Sequence, residues 1–330
     1  MVRVAAIDIG TNTTLLLVAE KVDGSAAGGT SRTPSVDAGE LRAVCEEATI
    51  TRLGEGVDAS RKLSSAAIER TNTCLTRYAT IVRELGASRV AVVGTSAMRD
   101  AGGSEDVRRR VRELFGVEAR TISGDEEARL TFAGALSGLD VVGSSRPNHA
   151  VVFDIGGGST ELVVGAADGS VAVSHSFDVG SVRLTERHIK SDPPSRAEMD
   201  AVTSAVRAAF ASEPHVWEGA RAQASPPIGI AGTVTTLAAI SFGLVRYDSA
   251  RIHGSTMTAD EVRAVVDRLA ALPLEERKRV PGLEPERADV IVAGGLLVLA
   301  TLDALGSSTM RVSDRGVRWG VAQELAAQFV

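Results

Sequence analysis

The chain has 330 residues, of which 44% are hydrophobic, only 3% are aromatic and 24% are charged, and its formal net charge is −6. This length allows two domains with complete hydrophobic cores, while the excess of acidic residues excludes a general affinity for nucleic acid or for an anionic membrane. The longest apolar run, residues 290–302, is too short to span a bilayer, and Cys45 and Cys74 lack metal-ligand spacing, so we expect a cytoplasmic protein with reduced thiols.

The first predicted element is a β-hairpin within residues 1–20. Its first apolar strand ends at Asp8, and the turn before the second apolar strand contains Thr11, Asn12 and Thr13. Hydroxyl and backbone N–H donors in such a turn suit phosphate oxygens. Residues 24–39 are rich in Gly, Ser, Ala and Pro, which predicts a mobile loop after the hairpin.

The next segment alternates helices and strands. Ser64–Leu85 has apolar residues at helical spacing and a glycine directly after it, which predicts an amphipathic helix. Arg89–Val93 is expected to form a buried strand, and the turn after it leads to Arg99. The predicted helix Glu105–Phe115 has four arginines, a pattern more typical of a solvated face than of a polyanion contact. A strand over Val117–Ile122 follows.

A helix start after this strand marks the predicted domain boundary. Residues 123–126, Ser-Gly-Asp-Glu, have the capping-box pattern, so Glu127 falls in the first turn of the helix. The pattern alone explains this acid without catalysis, because it complements the helix dipole. We therefore predict an N-terminal domain over residues 1–124, joined by the C-terminal helix at about 312–330, and a C-terminal domain over residues 125–311.

A second hairpin repeats the design of the first. In VVFDIGGGSTELVVG, one apolar strand ends at Asp154 and another begins at Glu161, with three glycines, Ser159 and Thr160 between them. The glycines let a ligand approach the backbone N–H groups closely, and the two carboxylates can hold a divalent cation through water. Because Asp8 and Asp154 align, the two hairpins imply two related domains that face each other across a cleft.

The remaining elements continue the α/β alternation. We predict a strand over Val171–Phe177, a helix over Ala197–Phe210, and a turn over Gly229–Thr236 that opens another helix. A long apolar helix is expected from about Arg287 to Leu305. The final strand and helix, within Met310–Phe329, are expected to return to the first domain.

Ten segments in chain order resemble the motifs of the exopolyphosphatase and guanosine pentaphosphate phosphatase (Ppx/GppA) family of the actin-like ATPase superfamily. They are DIGTNTTLLLVAE, TRLGEGVDASRKLSSAAIERT, VVGTSAMRDA, ISGDEEARLTFAGA, DIGGGSTEL, VGSVRLTER, GIAGTVTTLAAI, RIHGSTMT, PERADVIVAGGLLVLATLDALG and VSDRGVRWGV. The resemblance covers nearly the whole chain. It implies an α/β fold with two actin-like (ribonuclease H-like) domains, each a mixed sheet flanked by helices, and an interdomain cleft.

The resemblance also implies roles for individual residues. Glu127 matches the family's catalytic glutamate, and Glu161 is assigned to the metal or to the water bound to it. The expected metal ligands are Asp8, Asp154 and Glu161, holding Mg²⁺, with Mn²⁺ as the alternative ion. The expected phosphate-binding residues are Thr11, Asn12, Thr13, Arg99, Gly156, Gly157, Gly158, Ser159, Thr160, Arg183 and Gly232. For Gly232, phosphate binding and close packing both remain open.

These roles imply an exopolyphosphatase that releases terminal orthophosphate from short linear polyphosphate by metal-assisted attack of water. The alternatives are a guanosine pentaphosphate (pppGpp) 5′-phosphohydrolase, a sugar- or acetate-type kinase of the same superfamily, and a non-catalytic polyphosphate or alarmone sensor. The implied partners are inorganic polyphosphate or pppGpp, and relatives imply a homodimer. We expect neither nucleic acid nor a membrane as a partner.

Overall fold

The computed structural model describes residues 2–21, 41–139, 149–166, 170–221 and 226–329, so the predicted loop over residues 24–39 lies outside the described residues. The strands are β1 (Arg3–Ile9), β2 (Thr13–Lys21), β3 (Leu41–Ile50), β4 (Arg89–Gly94), β5 (Ala119–Thr121), β6 (His149–Ile155), β7 (Thr160–Ala166), β8 (Val171–Phe177), β9 (Ile228–Ile230), β10 (Thr256–Thr258) and β11 (Thr309–Val312).

The helices are α1 (Val57–Ser60), α2 (Ser65–Glu84), α3 (Ser96–Asp100), α4 (Glu105–Phe115), α5 (Gly124–Leu136), α6 (Ser181–His188), α7 (Arg196–Ala211), α8 (Pro214–Arg221), α9 (Ala231–Ser241), α10 (Ser249–Ile252), α11 (Ala259–Ala270), α12 (Leu274–Arg277), α13 (Ile291–Leu305) and α14 (Val317–Ala327), with a 3₁₀ turn at Pro285–Arg287. Within the described ranges, no helix has the length and hydropathy needed to cross a bilayer. The chain divides into two compact units, Met1–Ser123 with Val317–Val330, and Gly124–Gly316.

The first unit is built on a mixed sheet with the strand order β3-β2-β1-β4-β5. β1 pairs antiparallel with β2 and parallel with β4, so the β1–β2 turn and the end of β4 lie at the same edge of the sheet. α2 begins after the cap residue Ser64 and buries Leu75, Tyr78 and Val82, which confirms the predicted amphipathic helix. α14 packs on β1, β2 and β4.

The second unit is built on a mixed sheet with the strand order β10-β11-β9-β6-β7-β8. β6, β9 and β11 are parallel, so their carboxyl ends and the β6–β7 turn meet at one edge. α5 covers one face of this sheet, where Ala128 and Phe132 pack with Val152, Val163 and Ile230. α7, α9 and α13 contribute to the larger core on the opposite face. Two mixed sheets flanked by helices confirm the predicted fold class.

Three predicted features differ from the structure. The strand within the C-terminal segment is β11, and it completes the ladder of the second sheet between β9 and β10 instead of joining the first unit. Gly229 belongs to β9, and the change of direction is made at Ala231, the first residue of α9, which has φ 69°. Arg99 lies on the short helix α3 and not in a loop, since its N–H bonds the Thr95 carbonyl at 3.0 Å.

Candidate active site

The two hairpins contain the same tight turn. The Gly10 N–H donates to the Thr13 carbonyl at 3.0 Å, and the Gly156 N–H donates to the Ser159 carbonyl at 3.0 Å. A Cβ atom at Gly10 would lie 2.8 Å from the Thr13 carbonyl oxygen, and one at Gly156 would lie 3.2 Å from that of Ser159. Glycine is therefore required for the closure of the first turn at Gly10 and is favoured at Gly156.

The residues that follow β3 form hydrogen bonds with the β1–β2 turn of the first unit. The Asn12 carbonyl accepts hydrogen bonds from the N–H groups of Thr51 and Arg52, and the Thr11 carbonyl accepts one from Gly54. Gly54 has no side chain to displace Thr11, whose Cγ2 lies 2.2 Å from the place a Cβ would take. In a planar trans peptide the carbonyl and the next N–H group point in opposite directions. The N–H groups of Asn12 and Thr13 therefore point away from the segment that bonds the Thr11 and Asn12 carbonyls.

The turn of the second unit is held in the same way by α6. The Gly156 carbonyl accepts from the Ser181 N–H, and the Gly157 carbonyl accepts from those of Val182 and Arg183. The N–H groups of Gly157 and Gly158 therefore point away from α6. A glycine cradle with two N–H groups facing outward is suited to phosphate oxygens.

Asp8 is an isolated buried acid in the first unit. It lies in β1 opposite Leu15 and Val93, and its Oδ1 atom has no hydrogen-bond partner among the described residues. Burial raises the pKa of Asp8 to about 7, against the opposing charge of Arg318 on α14. Asn12, 7% exposed, also has a buried Oδ1 atom without a partner in the described chain. Two such oxygens are suited to a cation or a donor from outside the part of the unit that the structure describes.

Arg99 lies at the same edge of the first sheet. Its helix follows β4, and the Thr95 N–H bonds the Ile9 carbonyl at the end of β1. The Arg99 Nη1 atom donates to the Ile122 carbonyl at 3.1 Å. Arg99 and the β1–β2 turn therefore lie at one end of the sheet.

In the second unit, three polar residues form a row across neighbouring strands. Asp154 is directly opposite Glu161, and Glu161 is directly opposite Ser176, so all three side chains project from the same face of the sheet. Glu161 is 2% exposed, and its Oε1 atom accepts a hydrogen bond of 2.7 Å from the Ser176 hydroxyl. Asp154 is less deeply buried than Glu161.

Glu127 belongs to the layer that covers this row. Val152 and Val163, each two residues from the paired acids, contribute to the core beneath α5, so α5 lies on the face that carries Asp154 and Glu161. At the start of α5, the place for a Cβ at Gly124 is 3.5 Å from the Ser176 Cβ. Glu127 follows in the first turn and is 6% exposed. The structure thus brings Glu127, Asp154 and Glu161 to one region of the second unit.

Two of the predicted phosphate ligands are committed elsewhere. Thr160 is fully buried, and its hydroxyl donates to the Val179 carbonyl at 2.6 Å, so this hydroxyl supports the turn and is not available as a phosphate donor. At Gly232, a Cβ atom would lie 2.1 Å from the Arg287 Nη1 atom. Gly232 therefore allows close packing of a guanidinium, which is one of the two roles left open for it.

The other predicted cations have acidic partners. Arg183 lies in α6, which bonds the carbonyls of the glycine turn, and its Nη1 atom is 3.1 Å from Asp178 Oδ1. On α4, the arginines bond neighbouring carboxylates or carbonyls, as with Arg112 and Glu105 at 2.7 Å, in keeping with a solvated helix face. Ser159, another predicted phosphate ligand, is buried within the β6–β7 turn.

Sequence reasoning missed Ser176, Arg287 and Arg318. The alternation of β8 could have put Ser176 on the face of Ser174, but only the strand register shows that Glu161 is its partner. Arg287 comes from a segment distant in the chain and packs against Gly232. Arg318, on α14, is also distant in the chain, and its charge opposes the rise in the pKa of Asp8. No local pattern identifies such contacts.

The available ligands suit a hard cation bound mainly through water and phosphate. Among the described residues, no group of three His, Cys, Asp or Glu side chains could hold a metal. Mg²⁺ needs only one or two carboxylates when waters and substrate phosphates fill its other positions. The unpartnered Asp8 oxygen and the Asp154–Glu161 pair fit that requirement.

Comparison with known proteins identifies the family of this chain. The model of the Ppx/GppA phosphatase family matches residues 34–329. The chain is 37% identical over 336 residues to exopolyphosphatase 2 of Mycobacterium tuberculosis, covering 99% of each protein. It is 27% identical to guanosine-5′-triphosphate,3′-diphosphate pyrophosphatase of Vibrio atlanticus, covering 98% of this chain and 59% of that protein. The crystal structure of the Aquifex aeolicus Ppx/GppA family member is 30% identical, with a TM-score of 0.76, over 99% of this chain and 98% of that one. The chain therefore belongs to the Ppx/GppA phosphatase family.

Proposed function

We propose that this protein is an exopolyphosphatase that removes terminal orthophosphate from short linear polyphosphate by attack of water. The observation that carries the proposal is the position of Glu127, buried in the first turn of α5 over the sheet face that holds Asp154 and Glu161. The similarity to an exopolyphosphatase along the whole length of both chains supports the same reaction.

In the proposed mechanism, Glu127 accepts a proton from the attacking water, as a general base at the start of α5. The outward N–H groups of Gly157 and Gly158 bind oxygens of the substrate. Asn12, Thr13 and Thr11 contribute donors from the other hairpin, and Arg99 contributes a guanidinium suited to two phosphate oxygens. The Ser176 hydroxyl holds Glu161 in a fixed orientation.

A divalent cation, Mg²⁺ in our proposal with Mn²⁺ as the alternative, would be held mainly through water by the Asp154–Glu161 pair, and Asp8 of the first hairpin is the further candidate ligand. When bound, it would neutralise charge on the transferred phosphoryl group. The uncompensated Oδ1 atom of Asp8 is the feature that supports a cation at this place.

Guanosine pentaphosphate is the second candidate substrate. The Vibrio atlanticus relative, whose name specifies hydrolysis of a guanosine polyphosphate, matches 98% of this chain. The reactive phosphoanhydride would occupy the same cradle, so the two candidates differ only in what lies beyond the terminal phosphates.

The decisive experiment compares Glu127→Gln with Glu126→Gln, its neighbour on α5. We expect the first variant to lose about 10²–10⁴-fold in phosphate release from tripolyphosphate while still binding it, and the second to stay within about threefold of wild type. Wild-type protein that binds tripolyphosphate without releasing phosphate would favour a sensor. Turnover of ATP only with an added acceptor would favour a kinase. Product chain lengths and parallel assays with pppGpp separate the two substrates.

A further inference from the structure

The segment after β3, residues 51–55, lies between the β1–β2 turn and α2 and forms hydrogen bonds with both. The N–H groups of Thr51 and Arg52 donate to the Asn12 carbonyl at 3.0 and 2.9 Å. The carbonyls of the same two residues accept from Arg70 on α2, whose Nε atom is 2.9 Å from the Thr51 oxygen and whose Nη2 atom is 3.3 Å from the Arg52 oxygen. One guanidinium thus bonds both residues that hold the turn.

Arg52 has an unfavourable backbone conformation at this point. Its φ is 49°, the left-handed region that a residue with a Cβ atom rarely adopts, so neighbouring groups must hold it there. The Thr51 carbonyl belongs to the peptide group before the Arg52 Cα atom, and the Arg52 carbonyl belongs to the one after it. Because Arg70 bonds both, it fixes the two peptide groups whose rotation would release the strain.

A third contact orients the guanidinium of Arg70. Its Nη2 atom also donates to Glu55 Oε2 at 2.7 Å, and the Glu55 N–H donates to the Arg52 carbonyl at 3.1 Å. The side chains of Arg70 and Glu55 are 40% and 49% exposed, so the ion pair by itself contributes little to stability. The planar guanidinium is rigid, however, and several acceptors can fix its orientation.

The orientation set by Arg70 passes to the phosphate donors through two peptide groups. The first contains the Thr51 carbonyl and the Arg52 N–H, which bonds the Asn12 carbonyl. The second contains that Asn12 carbonyl and the Thr13 N–H, one of the donors assigned to phosphate. Each peptide is planar and trans, so the position of its carbonyl determines the direction of its N–H group. Thr51 is 1% exposed, which limits competition by water.

We propose that Arg70 is a positioning residue for the phosphate-binding turn of the first unit. It holds Arg52 in the left-handed conformation and thereby directs the N–H groups of Asn12 and Thr13 to the substrate. In this role Arg70 acts through the backbone and does not contact phosphate itself. The inference rests on the proposed function, because it concerns the same phosphate site.

The test measures binding of methylenediphosphonate, a pyrophosphate analogue that cannot be hydrolysed, by calorimetry with Mg²⁺ present. Arg70→Met should weaken binding about tenfold, because two hydrogen bonds that orient the donors are lost. Arg70→Lys keeps the charge but not the planar fork, and should weaken binding about threefold or more. The matched control is Arg77→Met, two turns further along α2, where the side chain bonds Thr49 and Glu47. It should stay within about twofold of wild type.

A double-mutant cycle with Arg52→Gly tests the mechanism. Glycine adopts the left-handed conformation without steric cost, so a chain with Gly at this position depends less on Arg70. We expect Arg70→Met to weaken binding only about threefold or less in the Arg52→Gly background, compared with about tenfold in the wild-type background.

Affinity within about twofold of wild type in both Arg70 variants would overturn the inference. An equal loss in Arg77→Met would also overturn it, as would an equal effect of Arg70→Met in both backgrounds, because Arg70 would then act without fixing Arg52. Phosphate release from tripolyphosphate by the wild type tests the proposed function separately. Release with unchanged affinity in Arg70→Met refutes only the role of Arg70, whereas the expected losses of affinity without release refute only the exopolyphosphatase.

Discussion

The two hairpins have the same backbone design but different chemistry. Both contain an aspartate near the end of the first strand, a glycine that closes the turn, and turn carbonyls held by a neighbouring segment. The residue opposite Asp8 is Leu15, whereas the residue opposite Asp154 is Glu161. The closing glycine and the bonded turn carbonyls, which both hairpins share, are the features that allow backbone N–H groups to bind phosphate. The difference concentrates paired carboxylates in the second unit.

The environments of Asp8 and Glu161 reflect that difference. Asp8 lies among apolar residues with an unsatisfied oxygen and a pKa raised by burial to about 7. Glu161 has a hydroxyl donor from Ser176 in the adjacent strand. One acid of the second hairpin therefore has a donor within its own sheet, whereas the Oδ1 atom of Asp8 has no hydrogen-bond partner among the described residues.

The largest expected effect comes from making the second hairpin resemble the first. Glu161→Leu should lower phosphate release by about 10²-fold or more, because it removes a carboxylate from the charged centre of the reaction. The matched variant Ser176→Ala removes only the hydroxyl that orients Glu161 and should cost about tenfold or less. Steady-state assays on protein with a wild-type unfolding temperature test this order. Activity retained in Glu161→Leu would remove Glu161 from the mechanism.

The second prediction concerns the isolated acid. In chelator at pH 8, Asp8→Asn should raise the free energy of unfolding by a few kcal/mol, while phosphate release with Mg²⁺ should fall strongly. The folded-state pKa of Asp8 lies above its unfolded value, so the wild type binds the proton more tightly when folded and loses stability as the pH rises from about 4 to 7.

Denaturant unfolding across that pH range tests the sign. The difference in stability between Asp8→Asn and wild type should shrink as the pH falls from about 7 to about 4 and become constant below about pH 3, where the carboxyl is protonated in both states. A variant less stable than wild type at pH 8 would contradict the account of Asp8 as an uncompensated acid.

The third prediction compares the closing glycines. Gly10→Ala should destabilise the protein by about 1–3 kcal/mol, since the new Cβ meets a carbonyl oxygen at 2.8 Å. Gly156→Ala meets its carbonyl at 3.2 Å and should cost less. Thermal unfolding of both variants is the measurement. The reverse order would show that the two turns relax differently.

The smallest effect is expected at the buried threonines after the two turns. Thr160→Val removes the hydroxyl that bonds Val179, and Thr14→Val removes the one that bonds Thr51. Each should lower the free energy of unfolding by about 1–2 kcal/mol, with little change in the KM for tripolyphosphate. A large rise of KM in Thr160→Val would restore Thr160 as a phosphate ligand.

The sequence predicted most of the local structure correctly where periodicity and end signals coincide. The helix Glu105–Phe115 and the strand Val171–Phe177 have the predicted bounds. The predicted placement of β11 in the first unit was wrong. The residue pattern of a short apolar strand is compatible with either sheet, and its place depends on pairing with β9 and β10. Gly232 shows the same limit of sequence reasoning. A glycine in a turn indicates that another group packs closely, but the sequence does not show that this group is the Arg287 guanidinium.

By itself, the sequence determined the α/β class, the repeated hairpin and the acidic residues of the candidate site, because these depend on local periodicity and on residue types. Only the tertiary structure decided that Ser176 supports Glu161, that Arg287 packs against Gly232, and that Arg70 bonds the carbonyls of Thr51 and Arg52. Such contacts depend on strand register and on packing between segments far apart in the chain, and neither is encoded in a short window of residues.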